Sequence, residues 1–222
     1  MKLSNDTVGV LKNFASINQN LIIKEGSELT TMSAMKNIVA RAKVMETFPK
    51  EVAIYDLNEF LAALSLFTTP VLDFQDQFVT MSEQGNTRNS LKYFYSDPSV
   101  VTSPSKMITM PSEEVTFQLD DDKVNQLKRA AGVISSPDLA LENNLLTVKD
   151  KKNDTANNYS INVDCKAEEN ADYTFFFKVE NLKLLSGDYK VAVSSKFISH
   201  FKNTKSDIEY WIALEPESTY TV

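Results

Sequence analysis

Two stretches of this chain repeat each other 116 residues apart. "DTVGVLKNFASI" (Asp6 to Ile17) and "DKVNQLKRAAGV" (Asp122 to Val133) share D-x-V-x-x-L-K-x-x-A-x-[IV], pairing Asp6 with Asp122, Val8 with Val124, Leu11 with Leu127, Lys12 with Lys128, Ala15 with Ala131, and Ile17 with Val133. Each is apolar at helical spacing. Asp6 and Asp122 stand near the start, where a carboxylate can cap free N–H groups and meet the positive end of the helix dipole. A second pair follows in the same order. "VAIYDLNEFLAALS" (Val52 to Ser65) and "TFFFKVENLKLLSG" (Thr174 to Gly187) each read as an apolar strand running into a short helix, with Leu57/Val179, Asn58/Glu180 and Phe60/Leu182 aligned 122 residues apart. A chain whose halves share this plan reads as an internal duplication.

Between and after the four helical patterns lie alternating runs such as "LIIKEGSELTTM", "PVLDFQDQFVTM", "LALENNLLTVKD", "DYKVAVSS" and "DIEYWIALE". Period-two alternation bounded by Gly, Asn, Asp and Pro predicts short antiparallel strands. The fold class expected is α+β, with two similar domains and two helices in each. The stretch "SDPSVVTSPSKMITMPSEE" carries Pro98, Pro104 and Pro111 and reads as a linker without regular structure. Its large apolar residues (Val100, Val101, Met107, Ile108, Met110) are more than a solvated linker needs, so it is expected to lie along a domain surface beside a groove. The expected division is 1–95, a connector at 96–112, and 113–222.

Composition narrows the chemistry. Five glycines in 222 residues disfavour a Rossmann or phosphate-loop enzyme, and one cysteine, Cys165, leaves no intrachain disulfide and suits a reducing compartment. The start "MKLSNDTVGVLKNF" lacks the apolar core of a signal peptide, and "FLAALSLF" is far short of a membrane span. A soluble cytoplasmic protein is expected, with no membrane partner. The net charge of −7 is uneven: −1 over residues 1–111 and −6 over 112–222. Bulk electrostatics therefore oppose tight binding of nucleic acid, and any such role must rest on local charge placement.

No catalytic or metal constellation emerges. Asp120, Asp121 and Asp122 are adjacent at a helix start, which suits capping better than convergence on one ion. His200 has no nucleophile or ligand set nearby in sequence, Cys165 reads as a buried strand position, and Trp211 as core. Not an enzyme, no cofactor and no metal are the expectations.

The segments "MKLSNDTVGVLKNFASIN" and "VAIYDLNEFLAALSLF", with "GDYKV" and "ALEPEST" near the end, resemble the DNA polymerase sliding clamps of T-even-type bacteriophages, relatives of proliferating-cell nuclear antigen. The match is strongest over the first 67 residues and weaker over about 68–185. The resemblance implies a head-to-tail homotrimeric ring. Antiparallel sheets would lie outside, and two helices per domain would line a hole for duplex DNA. It implies loading by an ATP-driven clamp loader in the cytoplasm of an infected bacterial host. The replicative DNA polymerase would be the partner, with late-transcription factors as further ones, and there would be no catalysis. The alternative from the residues is a phage structural or assembly protein with a duplicated β-rich domain.

At about 100° per residue, Val124, Leu127, Ala131 and Ile134 form one stripe, Arg129 and Asn125 point away, and Lys123 and Lys128 flank it. In the first helix Val8, Leu11, Phe14 and Ala15 are expected to be buried, and Lys12, Asn13 and Ser16 to occupy the face turned away from them. Lys183 is the cation of the "VENLKLL" helix. Alone these are solvated helix faces; the resemblance points Lys12, Lys123, Lys128, Arg129 and Lys183 toward DNA. It also implies a partner-peptide groove at Val101, Met107, Ile108, Met110, Leu214 and Pro216. Edge strands would meet between subunits, at Leu91, Tyr93 and Tyr95 on one side and Tyr159, Ile161 and Val163 on the other.

Overall fold

The computed structural model describes residues 1–222 apart from Ser105, Met107 and the side chain of Thr87. The chain divides into two compact units, Met1–Met107 and Ile108–Val222, with the boundary inside the stretch read as the connector.

The first unit opens with helix α1 (Asn5–Ile17). Its cap is Ser4, whose hydroxyl accepts from Thr7 N at 3.2 Å and supplies an acceptor that first-turn N–H groups otherwise lack. Asp6 lies in the first turn rather than at the cap. The buried face is Thr7, Val10, Leu11, Phe14 and Ile17, while Val8 and Ala15 are half-buried, so the stripe is rotated from the expected one. Thr7 can be buried because its hydroxyl donates to Glu46, which satisfies its polar atom. Leu11 and Phe14 are fully buried, each contributing roughly 1.5–3 kcal/mol of burial.

Four antiparallel strands follow: β1 (Leu21–Ile23), β2 (Gly26–Met32), β3 (Ile38–Phe48) and β4 (Val52–Ile54), in the spatial order β4-β1-β2-β3. Helix α2 (Leu57–Leu64) is capped by Asp56, whose carboxylate accepts from Asn58 N and Glu59 N at 2.9 and 3.1 Å. It packs beside α1. A meander closes the unit, made of β5 (Pro70–Phe74), β6 (Phe78–Glu83) and β7 (Asn86–Phe94). The connector is not without regular structure, since a 3-10 turn spans Pro98–Val100 with Asp97 as its cap.

The second unit holds β8 (Val115–Leu119), helix α3 (Asp121–Ile134), β9 (Asp138–Glu142), β10 (Leu145–Lys149), β11 (Tyr159–Asn162) and β12 (Asp172–Lys178). Strands β13 (Tyr189–Ser194), β14 (Ile198–Asn203), β15 (Ile208–Ala213) and β16 (Thr219–Thr221) follow. The cap of α3 is Asp120, accepting from Lys123 N at 2.8 Å, again two residues before the aspartate of the repeat. Asn143 and Asn144, with φ of 47° and 64°, form the turn between β9 and β10, a left-handed pair that a two-residue hairpin of this hand requires.

The duplication suggested by two short sequence matches extends through the whole connectivity. After α1, β1 pairs with β2 and β4, and β2 with β3; after α3, β9 pairs with β10 and β12, and β10 with β11. The β5-β6-β7 meander corresponds to β13-β14-β15. Strand β8 pairs with β13, and its counterpart is Met1, whose ammonium donates to Leu72 O at 2.6 Å and whose carbonyl accepts from Leu72 N at 2.7 Å.

The fourth helix is a correction. Where α2 stands in the first unit, the second has a 3-10 turn, Val179–Asn181, so the described residues hold three α-helices rather than four. The reason is chemical. Asp56 caps α2 with two acceptor bonds, whereas Lys178 at the matching position has no acceptor to offer. The chain then turns at Gly187, where φ is +144° and a Cβ would stand 2.5 Å from Asn203 Nδ2. No helix among the described residues is long and apolar enough to cross a membrane.

Candidate functional site

The cations of α1 and α3 sit in different settings. Lys12 is exposed and carries no ion pair among the described residues, beside exposed Ser16. Lys128, its counterpart in the repeat, is half-buried, and that burial lowers its pKa while Asp121 pulls it the other way. Arg129, one position on, is exposed. Lys123 is not free: its Nζ lies 3.3 Å from Asp120 Oδ2, so the capping aspartate also takes up this charge. Lys183 is not on a helix, because the chain has left the 3-10 turn by Leu182; it is half-buried, and its N–H donates to Asn181 O at 2.8 Å. Val124, Leu127 and Ala131 are buried as the stripe predicts, with Ile134 half-buried. Helix α3 packs on β10 and β11.

Of the groove residues, Val101 and Leu214 are buried, Ile108 and Met110 half-buried, and Pro216 exposed. Met107 lies outside the described residues. Reading by spacing missed what holds the C-terminal segment. Glu215 N donates to Phe176 O at 2.8 Å, and Ser218 Oγ accepts from Phe176 N at 2.9 Å. Lys151, 9% exposed, pairs with Glu215 and Glu217, each at 2.9 Å, and burial alone would lower its pKa, but these carboxylates raise it. These partners are 64 and 66 residues apart in sequence, beyond any local pattern.

Two of the strands that end their sheets are the ones expected as edges from sequence. Strand β7 is the edge of the three-stranded meander, and β11 the edge of the order β11-β10-β9-β12-β16. On β7, Leu91 and Tyr93 are half-buried, as is Tyr95 just past the strand end. The Tyr93 ring meets Phe60 edge-on at 5.3 Å and its hydroxyl donates to Asp56 O at 3.0 Å, so it braces α2. The Tyr95 hydroxyl is buried without a hydrogen-bond partner among the described residues, and burial pushes its pKa to about 12. The exposed side is the alternate one: Phe94 is 64% exposed, and with Tyr55 and Leu66 it borders a hollow of about 700 Å³ between α2 and β7. Neither Phe94, Tyr55 nor Leu66 was singled out from sequence, although β-strand alternation could have separated Phe94 from its neighbours. On β11, Tyr159 is exposed and Ile161 half-buried. Val163 is a correction: it lies past the strand end and is 2% exposed, so it belongs to the core of its own unit.

The remaining residues are accounted for locally. Asp121 Oδ1 accepts from Gly187 N at 2.9 Å while Asp121 N donates to Asp188 Oδ1 at 3.1 Å, and no metal-binding cluster occurs among the described residues. Cys165 is half-buried and outside any strand, not a buried strand position. His200 is on β14, stacked on Trp211 at 4.8 Å with its Nε2 2.8 Å from Glu209 Oε2, a more engaged position than its sequence context suggests.

Two units of matched connectivity, each with an open edge and a lysine-bearing helix, define a clamp-type fold. The chain superposes on proliferating cellular nuclear antigen from Entamoeba histolytica with a TM-score of 0.66, covering 94% of both chains at 14% identity. For that of Thermococcus kodakaraensis the TM-score is 0.69, covering 95% of this chain and 96% of the other, also at 14% identity. Residues 4–93 match the DNA polymerase processivity factor family and residues 115–216 the gp45 sliding clamp C-terminal family. The sliding clamp of Vibrio phage KVP40 is 33% identical, covering 97% of this chain and 99% of that protein. Those of Escherichia phage RB69 and Enterobacteria phage T4 are each 30% identical, covering 99% of both chains. The chain belongs to the sliding-clamp family of DNA polymerase processivity factors.

Proposed function

We propose that three copies of this chain close head to tail into a ring that encircles duplex DNA and tethers the replicative polymerase. The observation that carries this reading is that β7 and β11, from different units, are each a sheet edge. Strand β7 ends a sheet of the first unit and β11 ends a sheet of the second, so a contact of β7 with β11 of the next copy is heterologous and can close a ring. Leu91, Phe94, Tyr159 and Ile161 are the side chains for that contact, with Tyr93 and Tyr95 fixing the strand from within.

The helix cations supply weak attraction to phosphates, independent of sequence. Lys12, Lys128 and Arg129 carry this role, with Lys183 as a further contributor and Lys123 reduced by its pairing with Asp120. Topology, not affinity, then retains the ring, and loose contact permits sliding. An ATP-driven loader opens one interface to admit DNA. Partner peptides of the polymerase, and of late-transcription factors, insert apolar anchors beside Ile108, Met110, Leu214 and Pro216, in the manner of aromatic anchors in apolar pockets. The ring acts in the cytoplasm of the infected host and catalyses nothing. Light scattering tests the assembly: a mass near three chains is expected, and a monomer independent of concentration contradicts it.

A further inference from the structure

We propose that the face of β8, β13 and β14 turned away from the core of the second unit is a docking site for an acidic segment of a protein partner. On this face a pocket of about 520 Å³ is bordered by Lys166, Lys190, Lys202, Thr116 and Gln118. The setting is unusual for the chain, since residues 112–222 carry a net charge of −6. The three lysines are exposed, and none makes an ion pair or side-chain hydrogen bond among the described residues.

Their arrangement is costly for the unit on its own. Lys190 on β13 and Lys202 on β14 are directly opposite each other in the strand register, and like charges in cross-strand pairs destabilise a sheet. Lys202 also faces Glu209 on β15, which would be the natural counter-charge. The Glu209 carboxylate instead reaches His200 Nε2 at 2.8 Å, and no ion pair joins it to Lys202. Lys166 is brought to the same place by an isolated two-way bridge, in which Thr116 N donates to Lys166 O at 2.9 Å and Lys166 N to Thr116 O at 2.7 Å. Three unneutralised cations converging from three separate segments are what a carboxylate-bearing ligand fits.

A peptide suits the site better than DNA does. Glu113 and Asp164 also border the pocket and would oppose a continuous row of phosphates. Discrete carboxylates can each meet a lysine and avoid them, while the Thr116 hydroxyl and Gln118 amide offer hydrogen bonds to a peptide main chain. The site does not depend on ring closure and shares no residue with the proposed apolar groove.

The test is fluorescence anisotropy with a short fluorescein-labelled peptide of alternating Glu and Leu, beside the same peptide with Gln for Glu. The intact chain should bind the Glu peptide more tightly, and salt should weaken it. Lys190→Glu with Lys202→Glu should weaken binding by about tenfold, Lys190→Gln with Lys202→Gln by less, and the control Lys196→Glu, an exposed lysine of the same unit, should leave it within about twofold. Lys202→Gln should also raise the melting temperature by relieving the like-charge pair. Equal binding of both peptides, or an equal loss with Lys196→Glu, overturns the proposal. Displacement of the peptide by a short DNA duplex whose own binding is lost with Lys190 and Lys202 overturns it in favour of a nucleic-acid face.

Discussion

Lys178 Nζ lies 2.5 Å from Asp138 Oδ1, and the Asp138 side chain is only 2% exposed. The other carboxylate oxygen accepts from Lys151 N at 3.1 Å, and Glu215 lies 3.7 Å from Lys178. This network ties β9, β12 and the segment after Leu214 into one body. Asp138→Asn removes the buried charge opposite the Lys178 ammonium, so it should destabilise the protein by about 3–5 kcal/mol in urea unfolding. A loss below about 1 kcal/mol would show that the network is dispensable.

The same network predicts a response to alkali. The hydrogen bond and charge of Asp138 raise the pKa of Lys178, against the effect of burial. A raised lysine contributes stability that is fully present below its unfolded value of about 10.4 and is lost as pH rises through the folded value. Stability measured from pH 9 to 12 should therefore fall more steeply in the natural protein than in Lys178→Met.

Acid should loosen the anchoring of α1. Burial opposes the charge of Glu46, but hydrogen bonds from Thr7 and Ser4 outweigh it and hold its pKa below the usual glutamate range. A depressed carboxyl contributes stability above its unfolded value of about 4.3 that is lost as pH falls through the folded value. Ser4→Ala should cost about 1 kcal/mol, and Glu46→Gln should flatten the acid limb of the stability profile below about pH 4.5.

Edge pairing makes its own prediction. Phe94→Asp places a charge on the exposed face of β7 and should lower the mass in light scattering toward one chain, with the circular dichroism of the folded state unchanged. Persistence of the assembly would move the subunit contact elsewhere.

How far the sequence reached depends on the range of the interactions. Helix faces and strand alternation are local, so α1, α2, α3 and most strands were legible, and two short matches exposed a duplication that extends through the strand pairing. The cap of α1 is Ser4, two residues before the Asp6 that the repeat pointed to, whereas Asp120, one of the three aspartates read as caps, does cap α3. The missing fourth helix turns on one residue, Lys178, which cannot cap and is already engaged by Asp138. Among site residues, Lys12 and Arg129 were placed correctly on exposed faces, whereas the engagement of Lys123 by Asp120 and the burial of Val163 depend on side-chain geometry. The lysines of the β13–β14 face escaped notice because register, not spacing, brings Lys190 against Lys202.

Reversing charge on α3 probes the DNA-facing role. Lys128→Glu with Arg129→Glu should reduce retention on DNA and lower the magnitude of its salt slope by about one for each phosphate contact removed, while assembly is unaffected. Unchanged retention would return these residues to a solvated helix face.

The most direct test of a topological clamp is retention on circular against linear DNA. Loaded with a clamp loader and ATP, the protein should remain on nicked circular DNA through gel filtration and be released when the circle is cut once. Equal retention on both forms would contradict encirclement.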